Sequence, residues 1–358
     1  MRMIRSGKFA DKKILLLDKA PKTSNDRTWC FWEAGDGFFE DIVYRKWPRV
    51  DFFSDTWNQT LEINPYSYKM IRGIDFYTRC FQEISRQPHI ETVYGEIGHC
   101  VVTAEHTSLL LNGQEYIFPP AILFNSVYTP GHASLNVKQH FKGWVIETAD
   151  PVFDQDKASL MDFRVHQDKG TSFAYVLPFS RNTALVEYTM FTPQLLEPDQ
   201  YDAELRNYIR DFLKPGAYTV KEEEFGVIPM TNEKFSVWRD GVCHIGTAGG
   251  RTKASSGYTF QFVQRQSQEI LERLLSGQSL SGLSNTPARF RFYDNTLLYI
   301  LHHDTLPGRE IFSTLFRKNK AAQVLKFLDN ESSIGEELRI ISSLPTWPFL
   351  KAAVKQLM

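Results

Sequence analysis

VCHIGTAGG (242–250) reads as a short apolar strand running into a glycine-rich loop, and the spacing after it predicts a helix from about Ser256 to Leu275. Strand, glycine loop and helix in that order let backbone N–H groups approach a phosphate. Far upstream, KILLLD (13–18) is an apolar run closed by Asp18, the pattern of a buried parallel strand. An acid at the end of such a strand accepts hydrogen bonds from ribose hydroxyls in nucleotide-binding α/β folds. Taken singly, each signal also fits an ordinary tight turn or an ordinary strand end.

Outward from these two anchors, Gly73–Arg86 places Phe76, Tyr77, Cys80, Phe81 and Ile84 on one helical face and stops before Pro88. Short runs from Ile90 to Ile122 are punctuated by glycine and proline, with Asn112-Gly113 as a hairpin signal. The runs GWVIETA, SLMDFRV, TSFAYVLPF and TALVEYTMF, between Gly143 and Phe191, have the aromatic and β-branched content of one antiparallel sheet. Helical spacing returns over 198–213 and strand character over 218–228, and the chain beyond Pro287 divides into short helices. The expected organisation is a nucleotide-binding domain from 1–72, 90–135 and 226–275, a substrate domain from 73–89 and 136–225, and a helical cap over 276–358.

Three groups of residues could carry chemistry. DRTWCFWE (26–33) crowds Trp29, Phe31, Trp32 and Glu33 into five positions, too much apolar area for a solvated loop. It lines either a cavity or a buried domain junction. Glu187, in LVEYT, is a lone acid in an apolar strand: it points to water or sits in a dry cavity, where burial would keep it protonated and able to act as a general acid. Trp144 and Glu147, in WVIET, repeat the pattern of an acid beside bulky groups, as does Asp162, for which Arg164 offers a structural partner.

The chain of 358 residues has 41 basic and 42 acidic side chains, so the whole-molecule field gives no reason to expect nucleic acid as partner. Cys30, Cys80, Cys100 and Cys243 lack C-x-x-C spacing and read as buried thiols, with no metal site expected. No Walker A loop or G-x-S-x-G elbow is present.

Together ILLLDK (from Ile14), DRTWCFWE, MIRGIDFY (from Met70), FNSVYTP (from Phe124), GWVIET, LMDFR, LVEYT, GVIPMT (from Gly226) and IGTAGGRTKASSGYTF (from Ile245) resemble the bacterial-type lycopene cyclases. That family lies within the flavoprotein superfamily that includes geranylgeranyl reductases and aromatic hydroxylases. The resemblance runs from Lys13 to about Leu275 and weakens after Thr286. It implies a Rossmann-like FAD-binding domain, an antiparallel-sheet substrate domain and a helical C-terminal cap. It also implies redox-neutral closure of the linear ends of lycopene, or a related linear carotenoid, into β-ionone rings, an intramolecular lyase or isomerase reaction. The FAD would act reduced, with NAD(P)H or another donor supplying the electrons. By motif, Asp18 would hold the adenosine ribose, and Arg72 and Asn125 would lie near the flavin nucleotide. Gly246, Gly249 and Gly250 would approach phosphates and ring, Glu187 would be the essential acid, and Trp29, Phe31, Trp32, Glu33, Trp144 and Glu147 would line the substrate cavity.

The family's opening strand and G-x-G-x-x-G loop have no counterpart here. MRMIRSGKFADKK resembles the end of the first helix and its turn into the second strand, so that the Rossmann-like domain is expected to be incomplete by about thirty residues. Either the start lies upstream or the chain is a defective, polyene-binding relative; the undecayed later motifs favour the former. A flavin-dependent prenyl reductase or hydroxylase is the rival enzyme reading. No segment has the apolar length of a membrane span or signal peptide, so a cytoplasmic location is expected. Residues 289–358 carry ten basic against seven acidic side chains, with Trp347, Phe349 and Leu350 near the end, a composition compatible with docking on a membrane surface.

Overall fold

A computed structural model describes residues 1–357. The chain begins with α1 (Arg2–Ser6) and β1 (Ile14–Asp18), followed by β2 (Thr28–Ala34), β3 (Arg45–Trp47), β4 (Arg49–Phe53), β5 (Asn58–Glu62) and β6 (Tyr66–Arg72). Next come α2 (Gly73–Ile84), β7 (Ile90–Tyr94), β8 (Ile97–Val102), β9 (Thr107–Leu111), β10 (Gln114–Phe118) and β11 (Leu123–Asn125). The long strands are β12 (Asn136–Thr148), β13 (Lys157–Asp162), β14 (Thr171–Pro178), β15 (Thr183–Thr192) and, after α3 (Pro198–Tyr208), β16 (Tyr218–Thr231). β17 (Trp238–Arg239), β18 (Val242–His244) and α4 (Phe260–Leu275) precede five helices, α5 (Ala288–His302), α6 (Gly308–Lys318), α7 (Ala321–Leu328), α8 (Ile334–Ser343) and α9 (Thr346–Leu357).

Seven strands form the central sheet in the order β16-β12-β15-β14-β13-β4-β5. Alternation along β15 decides its two faces. Val186, Tyr188 and Met190 point to one side and pack with Tyr201, Leu205 and Tyr208 of α3. Leu185 and Phe191 point to the other, into the main core with Leu298 and Leu301 of α5 and Phe312 of α6. Each such large side chain, removed from water, contributes about 1.5–3 kcal/mol. Asp162 is buried beneath α3 with Arg164 Nε at 2.9 Å and the Tyr208 hydroxyl at 2.7 Å, the ion pair expected from sequence.

β1 and β7 pair in parallel, as do β11 and β18, in separate small sheets. β9 and β10 form the expected hairpin, with Asn112 and Gly113 at φ 52° and 77°. Three boundaries move. β4 and β5, inside segment 1–72, join the central sheet because β4 pairs with β13, and β16 carries that sheet on to Thr231. α2, assigned to the substrate domain, packs through Phe76 and Cys80 on Phe31, Phe39 and Phe260 instead. The helix expected from Ser256 begins at Phe260: Gly257 sits at φ 72°, against Gln139, and that left-handed residue ends a tight loop before helical geometry can start. Among the described residues no helix is long and apolar enough to cross a membrane.

Candidate functional site

A cavity of about 370 Å³ lies over the core-side face of the central sheet. Its floor is Gln139 and Phe141 of β12, Tyr175 and Leu177 of β14, Leu185 and Glu187 of β15, and Glu224 of β16. Trp29 and Cys30 of β2 and Tyr68 of β6 close one side; Thr247, Thr252 and the turn 256–260 at the start of α4 close another. A side chamber of about 220 Å³, lined by Tyr44, Arg72, Phe179 and Glu222, shares Thr28, Leu185 and Glu224 with it.

Register explains the carboxyl groups. Gly143 of β12 pairs with Glu187 on one side and Glu224 on the other. Because residue 143 has no side chain, the two acids reach toward each other across the intervening strand, into mutual hydrogen-bonding range. Thr189, two residues along the same face, donates to Glu187 Oε1 at 2.7 Å, and Thr28 donates to Glu224 Oε2 at 2.7 Å. Burial, then the neighbouring Glu224 charge, hold the Glu187 carboxyl well above the usual carboxylate range. Burial also raises Glu224, against which Thr28 and the bond from Glu187 act. Around Glu187 the phenols of Tyr68, Tyr175 and Tyr258 and the Cys30 thiol are all pushed up by burial, and the Tyr68 and Tyr258 hydroxyls stand 3.4 Å apart.

Of the sequence-predicted residues, Glu187 and Trp29 line this cavity and Arg72 the side chamber, where it holds Asp75 at 2.6 and 2.9 Å and lies over Tyr44. The other predicted cavity residues are elsewhere. Phe31 stacks on Phe260 with ring centroids 4.2 Å apart, in a separate cluster behind the cavity wall. Trp32 is buried in the main core, edge-on to Tyr258. Glu33 bonds the buried Lys69 ammonium at 2.9 Å and Gln261 at 3.1 Å, a structural ion pair. Trp144 is one residue from Gly143 and so points to the opposite face, under α3. Glu147 is exposed and paired with Lys221 at 2.6 Å.

Asp18 stands at the carboxyl end of β1, with Lys22 at 3.3 Å and a long 3.5 Å contact from the Ala20 N–H. Asn125 ends β11 and accepts the Val127 N–H at 2.8 Å, an Asx turn outside the cavity. The glycine loop departs from expectation: the N–H groups of Gly246, Gly249, Gly250 and Arg251 all bond within the protein, Gly246 to Gln266 and the others to loop carbonyls. Gly249 serves close packing, since a Cβ there would stand 2.2 Å from the His244 carbonyl oxygen. G249A is therefore expected to lower stability by about 1–3 kcal/mol, read as a fall in melting temperature; an unchanged melt would show that the loop relaxes freely.

The polar wall of the cavity is instead the stretch 247–260. Thr247, Thr252 and Thr259 hydroxyls form a chain at 2.9 and 3.0 Å along the cavity wall, and the N-terminus of the sixteen-residue α4 faces the same space. Gln139 Oε1 and Ser256 Oγ are buried there without a hydrogen-bond partner among the described residues. A polar, hydrogen-bonding ring system fits that wall, since it would satisfy both atoms. Sequence reasoning missed Glu224, the last of three consecutive acids in the strand expected over 218–228, and missed Gly143, whose meaning depends on register.

The family model described as lycopene cyclase protein matches residues 5–354. A lycopene beta-cyclase of Pseudescherichia vulneris is 23% identical over 264 residues, 70% of this chain and 65% of that protein, so the match spans less than two thirds of the relative's length. Among solved structures, a geranylgeranyl bacteriochlorophyll reductase-like protein from Thermoplasma acidophilum superposes with a TM-score of 0.58 at 11% identity, over 99% of this chain and 94% of that one. A flavoprotein/dehydrogenase from Cytophaga hutchinsonii gives 0.58 at 12% identity, over 99% and 95%. The fold is shared with these two proteins.

Proposed function

The chain belongs to the lycopene cyclase family, and from that membership we propose that it binds FAD and closes the linear ends of lycopene, or a related linear carotenoid, into β-ionone rings without net redox change. The carrying observation is Glu187, a carboxyl kept neutral on the wall of an aromatic-lined cavity. Protonating a trisubstituted alkene needs such an acid and creates a tertiary carbocation, which any water in the cavity would trap. Trp29, Phe141, Tyr175, Tyr258 and Phe260 present aromatic surface to that cavity, and an aromatic face stabilises a cation by about 0.5–2 kcal/mol. FAD, reduced by NAD(P)H or another donor, supplies an electron-rich plane when bound. Ser256, Gln139 and the threonine row would hold it, with Asp18 on the ribose.

A C40 hydrocarbon resides in bilayers, and the reading includes peripheral membrane contact through the cap. Ile334 and Leu338 of α8 and Trp347, Leu350 and Val354 of α9 are exposed at helical spacing, Trp347 at 81%. The test is to load the purified chain with FAD, reduce it, and supply lycopene in phospholipid vesicles. Cyclised carotenoid formed in excess over NAD(P)H consumed, with protein sedimenting with the vesicles, is the expected result. Reductant use stoichiometric with product would indicate a reductase or hydroxylase, and absence of flavin uptake would overturn the cofactor assignment.

A further inference from the structure

We propose that Glu224 is a positioning residue that shares a single proton with Glu187 across Gly143, keeping Glu187 in its acid form; the inference rests on the cyclase reading for its chemical purpose. Glu224 Oε1 is buried and has no N–H or O–H donor among the described residues, while its Oε2 takes the Thr28 hydroxyl. A buried acceptor without a donor is costly, the more so when it is charged. The Glu187 carboxyl lies within reach and fills that vacancy only when it carries a hydrogen. Two carboxylates forced together in a dry cavity resist ionising together while no cation lies beside them, so the pair retains one proton where an isolated carboxylic acid would have lost it.

The other groups facing the pair reinforce this. Cys30 from β2, Tyr68 from β6, Tyr175 from β14 and Tyr258 from the turn before α4 are kept protonated by burial and bring no positive charge, and Glu222 on β16 adds a further negative charge on the Glu224 side. Asp26 and the cation Arg27 line the cavity and bond each other at 3.1 Å. During ring closure the Glu187 O–H bond breaks as a C–H bond forms on the terminal alkene. A second alkene's electron pair then makes the ring C–C bond and moves the positive charge. Loss of a ring proton leaves its electron pair as the ring double bond, and that proton returns to the carboxyl pair. Electrons and protons balance with no further reagent. While the proton is on the substrate, both acids are anionic and face the cation, which favours the charged intermediate and then draws the proton back.

The test follows the infrared band of a protonated carboxyl in the full chain against pH, alongside the pH dependence of cyclisation. The wild-type band is expected to persist above neutral pH and to vanish in E187Q. In E224Q the like charge is gone, so the band midpoint and the alkaline limb of activity should both fall by about one pH unit or more. T28V, which removes a donor from the Glu224 anion while preserving shape, should move the midpoint the other way, and serves if E224Q does not fold. An unshifted midpoint in both variants overturns the shared proton, even if wild type cyclises lycopene. Shifted midpoints in a protein that leaves lycopene unchanged would keep the pair and overturn the cyclase reading.

Discussion

E187Q is expected to lower lycopene cyclisation by about 10³-fold while leaving the melting temperature at or slightly above wild type. The magnitude follows from the typical contribution of a positioned general acid, 10²–10⁴ in rate. The variant isolates protonation from architecture: glutamine has the same shape, its amide oxygen can still accept the Thr189 hydroxyl, and its NH₂ can donate to the orphaned Glu224 Oε1. Because the pair already carries a single charge with its shared proton, the substitution leaves the buried charge unchanged, so stability should not fall. Flavin loading should be unaffected, because the atoms proposed to hold the cofactor, Gln139 Oε1 and Ser256 Oγ, are on other residues. Single-turnover chromatography of the carotenoid product, at matched flavin occupancy, reads the effect. Cyclisation at near wild-type rate would exclude an essential proton role for Glu187.

Why Glu187 was legible and Glu224 was not follows from the information each position carries. LVEYT announces an acid among apolar neighbours on one strand, a local pattern that periodicity exposes. Glu224 acquires its role from pairing with a strand some eighty residues away and from the missing side chain at Gly143. The same distinction separates Trp29 from Trp144. The aromatic run at 29–33 points to burial, but only alternation and sheet packing decide that Trp29 meets the cavity while Phe31 and Trp32 enter cores. WVIET resembles an acid-bearing cavity strand, yet its acid lies in the open with Lys221, near where the register of β12 on β16 shifts between Val145 and Ile146. The hairpin at Asn112-Gly113 and the helices at 73 and 198 were readable because turn chemistry and amphipathic spacing are local. The membership of β4 and β5 in the central sheet was not, because a parallel pairing with β13 leaves no mark at either strand's own residues.

G143V separates strand stability from the geometry of the carboxyl pair. Glycine within a strand is ordinarily a weakness, and valine is among the residues that pleated sheets favour, so propensity alone predicts a gain. The local space predicts otherwise. A Cβ at 143 would stand 2.9 Å from Leu185 Cδ1 and 3.0 Å from Glu224 Cγ, contacts that require both side chains to move, and valine's two methyl groups extend that volume between the acids. Overpacking of this kind costs about 1–3 kcal/mol. Displacing Glu224 by even an ångström breaks its reach to Glu187, and misplacement on that scale can cost about 10²-fold in rate. The expected outcome is therefore a folded protein with a modestly lowered melt, cyclisation reduced about a hundredfold, and an alkaline activity limb shifted toward acid, as in E224Q. Activity and pH profile both equal to wild type would mean that the two carboxyl groups act independently. A hundredfold loss with an unshifted profile would point to blocked substrate entry along β12 instead, and restoring volume with L185A in the same chain distinguishes these. Relief of the steric contact should recover entry but not the carboxyl pair, because the valine would still stand between Glu187 and Glu224.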